Sequence, residues 1–287
     1  MAKRPPHHRE RTNTSGGAPR RPDSGRNVSR PGQKVGGKDG RGPKLRPTAG
    51  PDIALLWGYH PVREALRSER RKLVTLWATA AAAERLAPEI AARHLQPRIV
   101  SAEELAARVP TDAVHQGLLL EARHLEPIDI SEVPEKGLVL VLDQVTDPHN
   151  VGAIIRTAAA FNVDALVTTE RHSPELAGVL AKSASGGLEH VAICAVTNLA
   201  RALTELQDQG YQVVGLDSEG PAPLEQTVLS RPLALVLGAE GKGLRHLTRE
   251  RCDVLARLDV PGKIKSLNVS NACAVALTLT LARLGEM

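Results

Sequence analysis

Aromatic residues are nearly missing from this 287-residue chain, which has two Trp, two Tyr and one Phe. Beyond one pair these rings do not cluster, which leaves the base-stacking sheet of a single-strand RNA reader unsupported. Trp57 and Tyr59, the one close pair, read as domain packing, with stacking on RNA bases as the alternative. Cysteine is also scarce: Cys194, Cys252 and Cys273 are far apart and odd in number. None has a Cys or His at metal-ligand spacing, which argues against a disulfide framework or zinc site and suits a reducing compartment. Cys252 and Cys273 read as small buried apolar residues, and His60, His115 and His190 as structural or surface groups. No apolar run reaches the length of a membrane span, and the first residues lack an apolar signal core. The expectation is a soluble, cytoplasmic protein without membrane or metal. The common nucleotide and hydrolase motifs, GxGxxG, GxxxxGK[ST] and GxSxG, do not occur.

Acidic residues are few where basic ones gather. Residues 1–50 hold 13 Lys and Arg against 3 Asp and Glu, whereas the remaining 237 hold 24 against 29. The net charge of +5 therefore belongs to the amino-terminal stretch and not to a basic folded domain. That stretch, 1–51, is rich in Gly, Pro, Ser and Arg and has too little apolar surface to offset the entropy of ordering. It is expected to be a disordered basic tail, either an arm that binds RNA phosphates or a solubilising segment.

What remains is α/β in pattern. Over 52–123, β-type pieces at 73–77, 98–100 and 117–120 alternate with helical stretches at 62–67, 82–93 and 102–108, a small α/β domain. A linker rich in Pro and Glu follows at 124–137. Over 138–287, short buried-type strands are expected at 138–142, 165–168, 190–194, 212–216, 233–237 and 254–259, with helices between most of them. Val151, Ile154, Ile155 and Ala158 form the stripe of an amphipathic helix. A helix over 268–284 is apolar on most faces and is expected to be largely buried. Such alternation predicts a mostly parallel sheet covered by helices.

Ligands of open parallel sheets bind beyond the carboxyl ends of the strands. Three polar, glycine-containing segments fall there: DPHNVGAIIRTA (147–158), LGAEGKGLR (237–245) and SLNVSNACAVAL (266–277). Alone, Asn150 reads as a helix N-cap, Arg156 as a solvated helix residue and Glu240 as a carboxylate near a helix N-terminus. Gly241 and Gly243 suit turns or caps with or without a ligand.

In order and separation the three segments resemble the motifs of the SpoU (TrmH) family, within the SPOUT superfamily of RNA methyltransferases. The region around Gly58-Tyr59-His60-Pro61-Val62 and His115-Gln116-Gly117 is similar to the L30e-like substrate-binding domain of many members. The resemblance implies a deep trefoil knot in the carboxyl-terminal half, a kind of threading that is rare in folds generally. It implies a homodimer with S-adenosylmethionine as cofactor, held by loops at Leu216, Gly238, Val260 and Leu267. It also implies methyl transfer to a ribose 2′-hydroxyl of structured RNA, closest to the 23S rRNA guanosine subgroup. The carried-over catalytic set is Asn150, Arg156, Glu240, Ser266 and Asn268, with Arg156 orienting the hydroxyl beside an RNA phosphate. One departure stands out. The family has two more residues between the Pro and Gly of the third loop, whereas Pro261 here meets Gly262 directly. The rival readings are a tRNA ribose methyltransferase, a non-catalytic RNA-binding assembly factor of the same fold, and an unrelated nucleotide-dependent α/β enzyme.

Overall fold

The computed structural model describes residues 52–171 and 173–287; the tail expected over 1–51 lies outside the described residues. The first region runs β1 (Ile53–Trp57), α1 (Tyr59–Arg67), β2 (Leu73–Ala78), α2 (Ala80–Arg85), α3 (Ala87–Ala92), β3 (Arg98–Ile99), α4 (Ala102–Ala106) and β4 (Leu118–Arg123). Its four-stranded sheet has the order β1-β4-β2-β3. The strand β4 is antiparallel to both neighbours, and β3 is parallel to β2. The strand β1 was not anticipated, because Ile-Ala-Leu-Leu-Trp does not alternate. Pairing with β4, from Ile53↔Arg123 to Trp57↔Leu119, recruits it. The single helix expected over 82–93 is two, broken at buried Leu86. Pro88 lacks an N–H and suits only the first turn of the second.

The second region contains β5 (Leu138–Asp143), α5 (Pro148–Ala160), β6 (Ala165–Thr169), α6 (Gly178–Ala184), β7 (Ala192–Val196), α7 (Leu199–Asp208), β8 (Gln212–Leu216), β9 (Ala222–Pro223), β10 (Leu233–Gly238), α8 (His246–Glu250), β11 (Val254–Arg257) and α9 (Val269–Leu284). Seven strands form one sheet in the order β7-β6-β5-β10-β8-β11-β9, and every pairing is parallel. All six residues of β5 are buried, as expected for a strand covered on both faces. Leu138, Leu140 and Leu142 enter one core with α5 and α9, while Val139 and Val141 enter another with α7.

Three expectations shift here. The strand expected at 190–194 begins at Ala192, because Gly187–Glu189 form a tight 3₁₀ turn that ends at His190. The connecting segment 124–137 is anchored along its length. Ile128 bridges to Cys194 of the edge strand, and Ile130 and Val133 are buried. The last helix is only half buried: Val269, Cys273, Ala276, Leu277 and Leu281 face the core, while Val275 is 41% exposed.

The two sheets share a tight junction. Arg71, which precedes β2, is 1% exposed and donates to Glu189 in the 3₁₀ turn, Nε to Oε1 at 3.0 Å. A third guanidinium nitrogen donates to the Arg123 carbonyl at 3.0 Å. Trp57 lies against Gly178 at the start of α6. Among the described residues no helix is long and apolar enough to cross a membrane.

Candidate active site

Chain order reverses across the centre of the sheet, where β5 neighbours β10, and a crevice opens beyond the strand ends. The loop after β5 reaches α5 through Asp147-Pro148. Asp147, not Asn150, is the N-cap, its carboxylate accepting from His149 N at 3.1 Å. Asn150 is thereby placed inside the first turn with its amide free to reach across the crevice.

The loop after β10 is a tight hairpin in which Gly243 N donates to the Ala239 carbonyl at 2.9 Å. A Cβ on Gly238 would lie 2.2 Å from the Gly243 carbonyl carbon, so only glycine fits. The hairpin is fastened below by Asp143, fully buried at the end of β5. Arg245 donates to that carboxylate from its backbone N at 2.8 Å and its Nε at 2.6 Å. Glu240 is thereby presented at the crevice mouth.

The third segment enters α9 at Asn268, which caps the helix by accepting from Ser270 N at 3.0 Å. The same side chain joins a shared cluster. Glu240 Oε1 accepts from Asn268 Nδ2 at 2.6 Å, Asn150 Nδ2 at 3.0 Å and Val269 N at 3.2 Å. Asn268 Nδ2 also donates to Asn150 Oδ1 at 2.9 Å. Residues 118 and 90 positions apart thus converge on one carboxylate oxygen.

Beside the cluster is a cavity of about 260 Å³. Leu216, Gly238, Val260 and Leu267 all line it, together with Glu240 and Ser266. The shortened Pro261-Gly262 turn does not remove Val260 from the wall; Lys265 Nζ donates to the Val260 carbonyl at 3.0 Å. Arg156 does not line the cavity. It stands exposed on α5 without a side-chain partner among the described residues, two helical turns beyond His149. A wider basin of about 610 Å³ beside Arg70, Lys72 and Arg123 holds none of the motif residues.

Asp143, Asp217 and Arg245 are structural parts of this site that the motif reading did not single out. Asp217, also in the cavity wall, is nearly buried and pairs with Arg249 at 3.2 Å. A signal was present: Leu-Asp closes or follows three strands, at 142–143, 216–217 and 258–259. An acid ending an apolar strand needs a partner, and Arg245, Arg249 and Arg257 supply one to each. The three thiols take no part. Burial pushes Cys194 up to about 11 and Cys252 and Cys273 up to about 12. Among the described residues no three His, Cys, Asp or Glu gather as a metal site would require.

The chain is 39% identical over 243 residues to the 23S rRNA (guanosine-2′-O-)-methyltransferase RlmB of Pseudomonas aeruginosa, covering 77% of this chain and 93% of that protein. It is 40% identical over 234 residues to the enzyme of the same name from Ralstonia nicotianae, covering 78% and 93%. Among solved structures, the fold is shared with the SpoU methyltransferase AviRb from Streptomyces viridochromogenes in complex with AdoMet. That match has a TM-score of 0.69 at 21% identity, over 80% of this chain and 89% of that one. It is shared also with the AdoMet-bound rRNA methyltransferase from Sinorhizobium meliloti, with a TM-score of 0.70 at 22% identity over 81% and 88%. The sequence model for RNA 2′-O ribose methyltransferase substrate binding matches residues 55–128. The model of the SpoU rRNA methylase family matches 137–278, the stretch that carries all three motifs, and the chain belongs to that family.

Proposed function

We infer that this chain is a cytoplasmic enzyme that transfers a methyl group from S-adenosylmethionine to a ribose 2′-hydroxyl of RNA, a guanosine of 23S rRNA. The observation that carries the reading is the Glu240 cluster, which ties the three motif segments together at the mouth of one cavity. The cavity suits an adenosyl group. Leu216, Leu258, Val260 and Leu267 offer apolar walls for a flat ring. Above Gly241 a Cβ would meet nothing within 4 Å, which leaves room at the hairpin. Leu216, Gly238, Val260 and Leu267 would hold the cofactor. When bound, it supplies a methyl group on a positively charged sulfur.

The chain's own residues must bring the hydroxyl into line and ease loss of its proton. A guanidinium stays protonated in water, so Arg156 grips an RNA phosphate and polarises the hydroxyl by charge-assisted hydrogen bonding. Asn150, Glu240 and Asn268 fix the loops, and Ser266 donates at the cavity rim. Placement of Asn268 against Asn150 and Glu240 supports threading of 258–268 through the crevice as a trefoil knot. The exposed Val275 on the mostly apolar α9 supports a homodimer that covers it. The region 52–123 serves as the L30e-like RNA-binding domain.

The test is Arg156→Ala with 23S rRNA transcripts, reading methylated positions and cofactor affinity. Transfer is expected to fall about a hundred- to a thousandfold, the loss of one charged contact made at the reacting centre, with cofactor affinity within about twofold. Near-normal turnover removes the assigned role. Wild-type protein that binds S-adenosylmethionine and RNA without transferring a methyl group instead favours an RNA-binding assembly factor.

A further inference from the structure

Exposed cations without acidic partners are ordinary on this surface, but Lys182 is not one of them. It lies on α6 in the catalytic half, half-buried against the turn that starts α1 of the other domain. A Cβ on Gly58, whose φ is +93°, would come 2.2 Å from the Lys182 ammonium, so the side-chain tip lies directly against this turn. Burial pushes the ammonium down from its ordinary range. A buried charge normally finds an opposite charge. The buried cation of the same junction does so: Arg71 pairs with Glu189. Lys182 donates only to neutral Gln116 Oε1, at 3.1 Å, and makes no ion pair among the described residues.

Its neighbours extend the position in two directions. Gln116 Oε1 also accepts from Tyr59 N at 2.9 Å. The Tyr59 ring carries the Arg85 guanidinium 4.4 Å from its centre, again without a carboxylate among the described residues. On the other side, Ser183 Oγ shares a hydrogen bond of 3.3 Å with His149 Nδ1 on α5. His149 and Arg156 are seven residues apart on one helix and so share its exposed stripe. Lys182 and Ser183 are neighbours on α6, so polar groups are spaced from Arg85, past Lys182, to the helix that carries Arg156.

The geometry points to Lys182 as a phosphate-binding residue at the domain junction, where the RNA backbone passes from the first domain, at Arg85, to the reacting ribose. This rests on the RNA methyltransferase reading above. A phosphate fits because Lys182 has donors to spare, is already partly desolvated, and is held in place by the opposite domain. This spacing also gives a physical reason for the shared junction: it sets the distance between the RNA grip and the active cavity.

The experiment measures binding of a 23S rRNA transcript to the full chain against salt concentration, for wild type, Lys182→Ala, Lys182→Gln and Arg85→Ala. Arg201→Ala serves as control, on α7 where Arg201 is paired with Glu205. Cofactor affinity by calorimetry and thermal melting accompany each. Each of the three test variants is expected to weaken RNA binding about tenfold. Each should also reduce the slope of log affinity against log salt by about 0.7–0.9. Cofactor affinity stays unchanged, and the loss appears in KM for RNA more than in kcat. The control is expected to behave as wild type. If Lys182→Ala and Lys182→Gln both keep the wild-type slope, the inference is overturned, whether or not the protein methylates RNA. If the slope falls with these variants while wild type transfers no methyl group, the phosphate site stands and the enzymatic reading fails.

Discussion

Glu189 and Glu240 are both carboxylates that join segments distant in sequence, and they do so under opposite conditions. Glu189 has a side chain 3% exposed and is met by Arg71, 118 residues away, through several charge-assisted hydrogen bonds. Glu240 is exposed and is met by two asparagine amides and a backbone N–H, all on one oxygen. The first carboxylate has little capacity left and nowhere to move. The second keeps an oxygen in reserve at the edge of a cavity. A charge sealed with its partner defines architecture, whereas one held in the open by neutral donors can exchange partners when ligand arrives.

The contrast is broken most severely at the sealed end. Arg71→Ala leaves the Glu189 carboxylate buried without its cation and is expected to cost about 3–5 kcal/mol. Replacing both residues with Met should recover most of that, because two apolar side chains need no desolvation of charge. Urea unfolding of the two variants measures this. A single-variant loss below about 1 kcal/mol would mean the junction does not depend on the pair. At the open end the same class of change should leave stability nearly untouched. Glu240→Ala is expected to shift unfolding by no more than about 0.5 kcal/mol. Methyl transfer should fall roughly 10- to 100-fold, equivalent to about 1.4–2.8 kcal/mol. Unfolding and single-turnover transfer on one preparation separate the two effects.

The same contrast explains what was legible in the sequence. Strand β8 coincides with its expected span, and β5, β6 and β10 lie within one residue of theirs, because short apolar runs between polar turns are a local signal. The cavity residues Leu216, Gly238, Val260 and Leu267 were found through motif order and do line one cavity. The partners were not legible. Nothing local to Arg71 announces Glu189, and nothing local to Asp143 announces Arg245 about a hundred residues later. The strand β9 was missed because two residues, Ala222 and Pro223, carry no period. The half-exposure of α9 was missed because composition measures how apolar a helix is, not how many of its faces have a neighbour.

A third carboxylate sharpens the comparison from below. Glu104 accepts from Ser101 N at 3.0 Å while Ser101 Oγ accepts from Glu104 N at 3.2 Å, a reciprocal cap that starts α4. Both groups are exposed, both lie within one turn, and neither reaches another element. Ser101→Ala removes one local acceptor and is expected to cost about 1 kcal/mol, with transfer rate and RNA affinity unchanged. It sits between the other two in stability effect and below both in reach. A measurable loss of transfer in that variant would show that α4 is coupled to the cavity. In that case burial and sequence separation would not be enough to distinguish structural carboxylates from functional ones in this chain.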